Sequence, residues 1–473
     1  MKENHIFFIS FAFFTLFFFS IFIFWMQSNP TSHFTPEIPI PDIPSVSSEK
    51  SSGVKIGEYS KKFFQSHSLL PGSWPCFRGK ERDNISKENI PLFTSWSEEN
   101  PEILWKISLG EGHSAPAIHR GKVYLLDYDE KEKADSLRCF TLKEGQELWR
   151  RWYRVQVKRN HGMSRTIPAV NEKFVVTIGP KCHVMCVDRE TGEFLWGMDL
   201  EKDFKTQIPL WYTGQCPIIE ENTVVLAPCG EQVFIMGVDC ATGKILWQTP
   251  NHKKWNMSHS SLVPIVWKNK KMFLYAALGG IVGISNQEGE KGKILFESEL
   301  WNPQVIAPSP LFMANGLIFL TAGYGAGSIL LKLTEEGQLQ KVQQVKPEEG
   351  LASEQQTPIF YKGHIFGILP KDAGSLRNQF ACYSPDDISK PIWSSGKTNR
   401  FGLGPYFIAQ EKCFILNDDG TLTVIQASLD GYKEIARKKI FQGKDAWGPM
   451  ALSDGFLLLR DEKQMFCLDI REK

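Results

Sequence analysis

The sequence predicts an all-β protein, an eight-bladed β-propeller of four-stranded antiparallel blades, preceded by one N-terminal transmembrane helix. Three observations lead there. Apolar runs in the last 370 or so residues are too short for helices, a unit of strands and turns recurs eight times, and one long apolar run stands at the N-terminus.

The unit is clearest in residues 215–247. It opens QCPII, passes a polar turn, runs through TVVLAP and VFIMGVD, and closes ATGKILW. Runs of this length, rich in Val, Ile and Phe and broken by Gly, Asn, Pro and acidic residues, are strands joined by tight turns. A proline followed by an apolar residue opens each copy, at Pro116, Pro168, Pro217, Pro264, Pro310, Pro358, Pro405 and Pro449. The far end of the unit recurs as EGQELW, TGEFLW, TGKILW, GKILF and KPIW, with EGQLQKV and DGYKEIA as degraded copies. A period of roughly 40 to 50 residues with four strands per unit specifies propeller blades.

Ring closure can be read as well. The last copy, from Trp447 onward, holds three strands and lacks the strand that ends in tryptophan. An orphan of that type, EILWKISL at 102–109, lies ahead of the first copy. This N-terminal strand is expected to complete the C-terminal blade and remove an open sheet edge.

Three regions follow: residues 1–26 as a membrane anchor or signal, 27–72 as a Pro/Ser-rich linker, and 73–473 as the propeller. Residues 6–25 are apolar except for Ser10, Thr15 and Ser20 and contain ten phenylalanines. Twenty helical residues at about 1.5 Å each match the roughly 30 Å of a hydrocarbon core. A retained anchor is expected, with a cleaved secretory signal as the competing reading. Either exports the remainder, because Lys2 is the only flanking basic residue and holds the N-terminus inside. The propeller is therefore placed on the extracytoplasmic, periplasmic side of a single-pass membrane protein. Prolines 30, 36, 39, 41 and 44 make the following stretch a semi-rigid stalk, and residues 54–70 are expected to form a short amphipathic helix.

With 54 Lys plus Arg against 53 Asp plus Glu, the net charge of +1 gives no electrostatic basis for nucleic-acid binding. Ten cysteines are present. Six residues before the repeat glycines stand Cys139, Cys186 and Gly237, and Cys382 and Cys467 occupy the same strand of their blades. Alternation of Cys with Gly marks a small residue in a crowded layer, with one or two disulfides as the alternative.

VDRETGEFLW (187–196) and VDCATGKILW (238–247) resemble the tryptophan-docking repeat of the pyrroloquinoline-quinone (PQQ) β-propeller family. SWPCFRGKERDNIS (73–86) resembles the lead-in segment of its BamB-like, PQQ-binding-like members, departing from it with Asn84 where glycine is usual. The resemblance covers residues 73–473. It implies either a quinoprotein dehydrogenase or a cofactor-free scaffold. The dehydrogenases carry adjacent cysteines, a carboxylate base and a Glu/Asn calcium site; this sequence has no Cys-Cys. The BamB-like scaffolds are held by a lipidated cysteine, which is also missing here. No cofactor is therefore expected, with PQQ and calcium as the alternative.

Segments that enter the first strand of each blade face a propeller's central funnel. Here they carry His113, Arg165, Tyr212, His259 and Arg400 as candidate ligand-binding residues, with His161, Gln355 and Trp447 beside them. Such a ring suits an anion or a quinone carboxylate, against the plainer reading of a solvated polar mouth. The histidines have no local metal-ligand spacing, so no metal is expected. Gly-x-Ser-x-Gly, phosphate-loop and His-Glu-x-x-His motifs are absent. The function expected is a membrane-anchored, non-catalytic scaffold for an envelope protein partner, with a PQQ-dependent oxidoreductase as the alternative.

Overall fold

The structure, a computed structural model, describes residues 2–27, 53–64, 70–93, 96 and 101–472. The chain divides into two compact units, Met1–Ser52 and Gly53–Lys473. In the first, Lys2–Gln27 is a helix, whose side chains are described from Phe13 onward. Among the described residues no helix is long and apolar enough to cross a membrane. The prolines of the expected stalk lie outside the described residues.

The second unit is a ring of eight antiparallel blades, at residues 117–154, 169–199, 218–250, 263–298, 311–345, 359–394, 406–439 and 451–469. Numbered in that order, blades 1 to 7 each take four consecutive strands, and blade 8 takes its fourth from the N-terminal side. Glu102–Ser108 pairs antiparallel with Gln464–Asp469, placing Trp105 opposite Cys467 and Glu102 opposite Asp469. The expected closure is the observed one.

Blades 8, 1, 2 and 3 each end in a tryptophan that packs on a turn glycine of the next blade. A Cβ on Gly145 would lie 2.6 Å from the Trp105 ring, one on Gly192 2.5 Å from Trp149, and one on Gly243 2.7 Å from Trp196. These glycines have φ of 67°, 67° and 72°, so the turn and the docked ring both exclude a side chain. Trp196 Nε1 donates to the carbonyl of Cys240 at 2.8 Å, and Trp105 Nε1 to that of Leu142 at 2.9 Å.

The same rings explain the cysteine pattern. In the register of the blades, Cys139 faces Trp149, Cys186 faces Trp196, Gly237 faces Trp247 and Cys382 faces Trp393. A Cβ on Gly237 would sit 2.2 Å from Trp247 Nε1. All ten cysteines are buried free thiols.

A belt of hydrogen bonds ties neighbouring blades near the axis. Backbone N–H groups of Cys216, Ser261 and Ser309 donate to the hydroxyls of Ser261, Ser309 and Thr357, each from the following blade, at 2.9, 3.0 and 2.8 Å. Ile167 N–H donates likewise to Cys216 Sγ.

Over 54–64, in the described part of the helix expected at 54–70, no helix forms. Tyr59–Lys62 is instead a strand on the outer edge of blade 1, antiparallel to Glu147–Arg154. Tyr59 stacks on Trp152 with ring centroids 5.7 Å apart, and Arg151 Nη1 donates to the carbonyl of Gly57. A short helix of weak period gains little in isolation, whereas an open sheet edge supplies a ready ladder. The compact unit thus begins at Gly53, ahead of Ser73.

Candidate functional site at the ring mouth

The lead-in segment 73–86 crosses the axis and closes one end of the channel. Ser73–Trp74 pairs with the first strand of blade 1, and Ile85–Ser86 pairs parallel with the first strand of blade 7. Between them Arg78 donates to the carbonyls of Thr357 and Pro358 at the start of blade 6, at 2.9 and 3.1 Å. Arg82 reaches blade 3, donating to the Ile219 carbonyl and pairing with Glu220 at 2.7 Å. Burial lowers the pKa of Arg78 to about 10; the group remains cationic at neutral pH. The coil is tight: Arg78, Gly79, Arg82 and Asn84 all have positive φ. Asn84, at φ 65°, is the residue type after glycine that best tolerates this region, and its amide donates to the Tyr406 carbonyl. The departure from the family's glycine therefore keeps the backbone and adds a bond.

At the other end the segments preceding the first strands converge on a cavity of about 130 Å³. Blade 1 contributes His113, blade 2 Arg165, blade 3 Trp211, blade 4 His259, blade 6 Glu354 and blade 8 Trp447. Its apolar lining includes Phe77 of the lead-in segment, so the plug reaches the mouth.

His113 lies flat on Trp447, with centroids 3.3 Å apart and planes within 15°. Trp211 stacks on both His259 and Tyr324, at 6.2 and 5.5 Å. Arg165 Nη2 donates to the carbonyls of Asn160 and His161 at 2.6 and 2.9 Å, which fixes the guanidinium beneath the mouth. Its Nη1, the Nδ1 atoms of His113 and His259, and Glu354 Oε2 are closed to solvent and have no hydrogen-bond partner. Glu354 Oε1 lies 3.4 Å from Lys371 Nζ.

The electrostatics follow. Burial, and then the nearby tyrosine hydroxyls in opposition, set the Arg165 pKa at about 10; no carboxylate is among its influences. Burial followed by the Arg165 charge brings His259 down to about 4. Burial, then Arg460 and Arg165, hold His113 well below its usual value. Burial raises the Glu354 carboxyl, against the pull of Lys371. At neutral pH the mouth holds one fixed cation without a counter-charge, two neutral imidazoles and one acid already attended by a lysine.

Of the candidates read from sequence, His113, Arg165 and His259 line this cavity, as do Gln355 and Trp447. Tyr212 stands outside its lining, with its hydroxyl donating to the Lys158 carbonyl at 2.9 Å. Arg400 is elsewhere, bound to the carbonyls of Lys397, Arg377 and Ser375. His161 acts through its carbonyl on Arg165. Sequence reasoning missed Trp211, Tyr324 and Glu354. Trp211 and Glu354 precede their blades at nearly the same offset as the named residues, a signal that could have found them; Tyr324 comes from a turn inside blade 5 and carries no such signal.

The mouth does not fit a quinone with calcium. Pockets for ligands of that size run to about 300–1,000 Å³, well above the 130 Å³ here. No Cys-Cys exists to stack on the ring, and among the described residues no three His, Cys, Asp or Glu side chains are grouped to hold a metal.

The family model described as Outer membrane protein assembly factor BamB matches residues 133–387. A search of the curated proteins finds no match. Among solved structures, BamB from Moraxella catarrhalis is similar with a TM-score of 0.52 and 11% identity, covering 78% of this chain and 99% of that one. A europium-containing methanol dehydrogenase gives 0.53 and 12%, over 83% and 89%. The quinohemoprotein alcohol dehydrogenase from Comamonas testosteroni gives 0.53 and 11%, over 85% and 81%. At these identities the likeness is one of fold.

Proposed function

The chain belongs to the family of the outer membrane protein assembly factor BamB, and from that premise we propose that it is a membrane-anchored, extracytoplasmic propeller that binds other envelope proteins without catalysis. The observation that carries this reading is the plug: residues 73–86 cross one end of the channel and bind blades 1, 3, 6 and 7 to one another, and the cavity at the other end is only about 130 Å³. For a protein partner the accessible surface is the outside of the ring. The residue before each blade-end tryptophan is aliphatic; in blade 1, under the added strand Tyr59–Lys62, Leu148 is 3% exposed, while Leu246 and Ile392 are 53% and 47% exposed. Apolar positions of that kind, repeated around a rigid ring, suit protein contacts.

The anchor rests on the sequence, since the apolar run 6–25 begins ahead of the described side chains. From Phe13 to Met26 the large apolar side chains of the helix are exposed, Phe18 and Trp25 by about two-thirds. A helix apolar on all sides needs an apolar surrounding.

The test uses the full chain in its native host. A retained anchor keeps the protein in membranes through high salt and carbonate, with an intact N-terminus by mass spectrometry. Photo-crosslinkers at Leu246 and Ile392 should then give discrete adducts with envelope proteins. A processed, soluble protein that takes up PQQ and calcium stoichiometrically and reduces dye with an alcohol would overturn the reading in favour of the oxidoreductase.

A further inference from the structure

Arg165 is a cation held under a cavity with nothing to balance it. Its guanidinium is fixed by two backbone carbonyls, it makes no ion pair among those of the described residues, and no acid contributes to its titration. Partial burial makes such a charge costly and strengthens its attraction to an anion, because little water screens it. The neighbouring histidines are neutral, with their rings already bonded to backbone at His161 and at Leu210 and Tyr212, so they add no competing charge. Phe77, Ile167, Val305 and Ala307 supply an apolar wall. On the far side stands Glu354, whose Oε2 has no partner.

We propose that the mouth cavity is a binding site for a small organic monocarboxylate, with its charged head drawn to Arg165 and its apolar body against Phe77, Ile167, Val305 and Ala307. Size sets one limit: the cavity, about 130 Å³, is close to the roughly 150 Å³ that accommodates benzene in an engineered protein core. One aromatic ring or a branched chain of a few carbons fills it. Charge sets the other limit. A second carboxylate, or a phosphate dianion, would meet the Glu354 acid rather than a cation, so dicarboxylates and phosphate are disfavoured. This site is separate from the outer surface assigned to protein partners, and it stands or falls independently of that assignment.

Arg165 Nη1 and the histidine Nδ1 atoms are closed to solvent. Arg165 nevertheless lines the cavity with its Nη2 held on the two carbonyls, and Trp447 and Trp211, stacked on the histidines, line it too, so a ligand head drawn to the guanidinium lies beside both indoles. Tryptophan fluorescence is therefore a direct readout.

The experiment titrates the purified full chain with benzoate and isovalerate, following fluorescence and the thermal midpoint. Saturable binding in the millimolar range or tighter is expected, with succinate and phosphate at least about tenfold weaker. Arg165→Gln should weaken benzoate at least about tenfold, as loss of a charge-assisted contact does, while Arg437→Gln on the outer strand of blade 7 should leave it unchanged. Glu354→Gln should narrow the gap between succinate and isovalerate. If Arg165→Gln does not fold, Ala307→Phe, which fills the cavity and keeps the charge, should abolish binding. A tripeptide ending in a free leucine carboxylate distinguishes the source: tighter binding than isovalerate points to a protein chain end, weaker binding to a free acid. No saturable binding by the folded wild type, equal binding of phosphate, an unaffected Arg165→Gln or Ala307→Phe, or equal binding of the amidated tripeptide would each sink the proposal.

Discussion

Trp105 and Cys467 face each other across the closing strands of blade 8, and both reach the carbonyl of Leu142 in blade 1, through Nε1 at 2.9 Å and Sγ at 3.6 Å. The first and last segments of the ring are therefore locked onto one atom of the next blade. Trp105→Ala removes the wedge and one of these donors. It should cost about 3–5 kcal/mol, the usual range for truncating a buried tryptophan, measured by denaturant unfolding. Removal of 101–110 should expose residues 451–469 to protease; unchanged resistance there would mean the strand is dispensable.

The position opposite each blade tryptophan should tolerate only small residues. Gly237→Val places branched carbons where the Trp247 indole lies, a Cβ being already 2.2 Å from Nε1. A destabilisation of about 1–3 kcal/mol is expected for such overpacking. Cys186→Ala, at the matching place in blade 2, should cost much less. Similar thermal midpoints for the two variants would contradict the crowding argument.

Trp196→Ala should likewise cost about 3–5 kcal/mol, because its ring lies on Gly243 and its Nε1 is bonded to Cys240. Trp25, in the N-terminal helix and exposed, is the matched control, and its replacement should leave the propeller's unfolding unchanged. Equal effects would show that the blade tryptophans are not wedges.

Arg78 fastens the plug. Arg78→Met keeps much of the volume but leaves the carbonyls of Thr357, Pro358, Arg82 and Asp83 without that donor. Unsatisfied buried acceptors cost about 1–3 kcal/mol each, so a loss of at least about 2 kcal/mol is expected, together with faster amide exchange across 76–84. Full protection of that segment in the variant would refute the role.

Asp135 gives a pH signature. Burial raises its carboxyl from 3.8 to about 6 although Tyr153 donates to Oδ2 at 2.7 Å, and Oδ1 has no partner. The folded state holds this proton more tightly than the unfolded one, so the group's contribution is full below about pH 4 and is lost as pH rises through 6. Asp135→Asn keeps an acceptor for Tyr153 and removes the titration. Its stability relative to wild type should rise between pH 4.5 and 7.5 by on the order of 2 kcal/mol. A difference that does not vary with pH would show that Asp135 is not perturbed.

The repeat was legible because strand periodicity, turn glycines and blade tryptophans are local features that the chain repeats with each blade. From these the blade count, the closing strand at 102–109 and the cysteine-for-glycine exchange could all be read. Packing gave the last its cause: Gly237 and Cys186 are small because an indole from the neighbouring strand lies across them. Tertiary structure alone decided three things. Residues 59–62 joined a sheet edge because blade 1 offered an unpaired ladder and Trp152 a stacking partner, neither visible in their own weak period. Residues 73–86 became a channel plug because Arg78 and Arg82 find acceptors on blades 6 and 3, far away in sequence. Of five funnel candidates, three share a cavity and Arg400 does not, because carbonyls of its own and the preceding blade hold its guanidinium. Sequence spacing fixes which residues lie near the mouth of a ring; only the packed ring determines which of them turn toward one another.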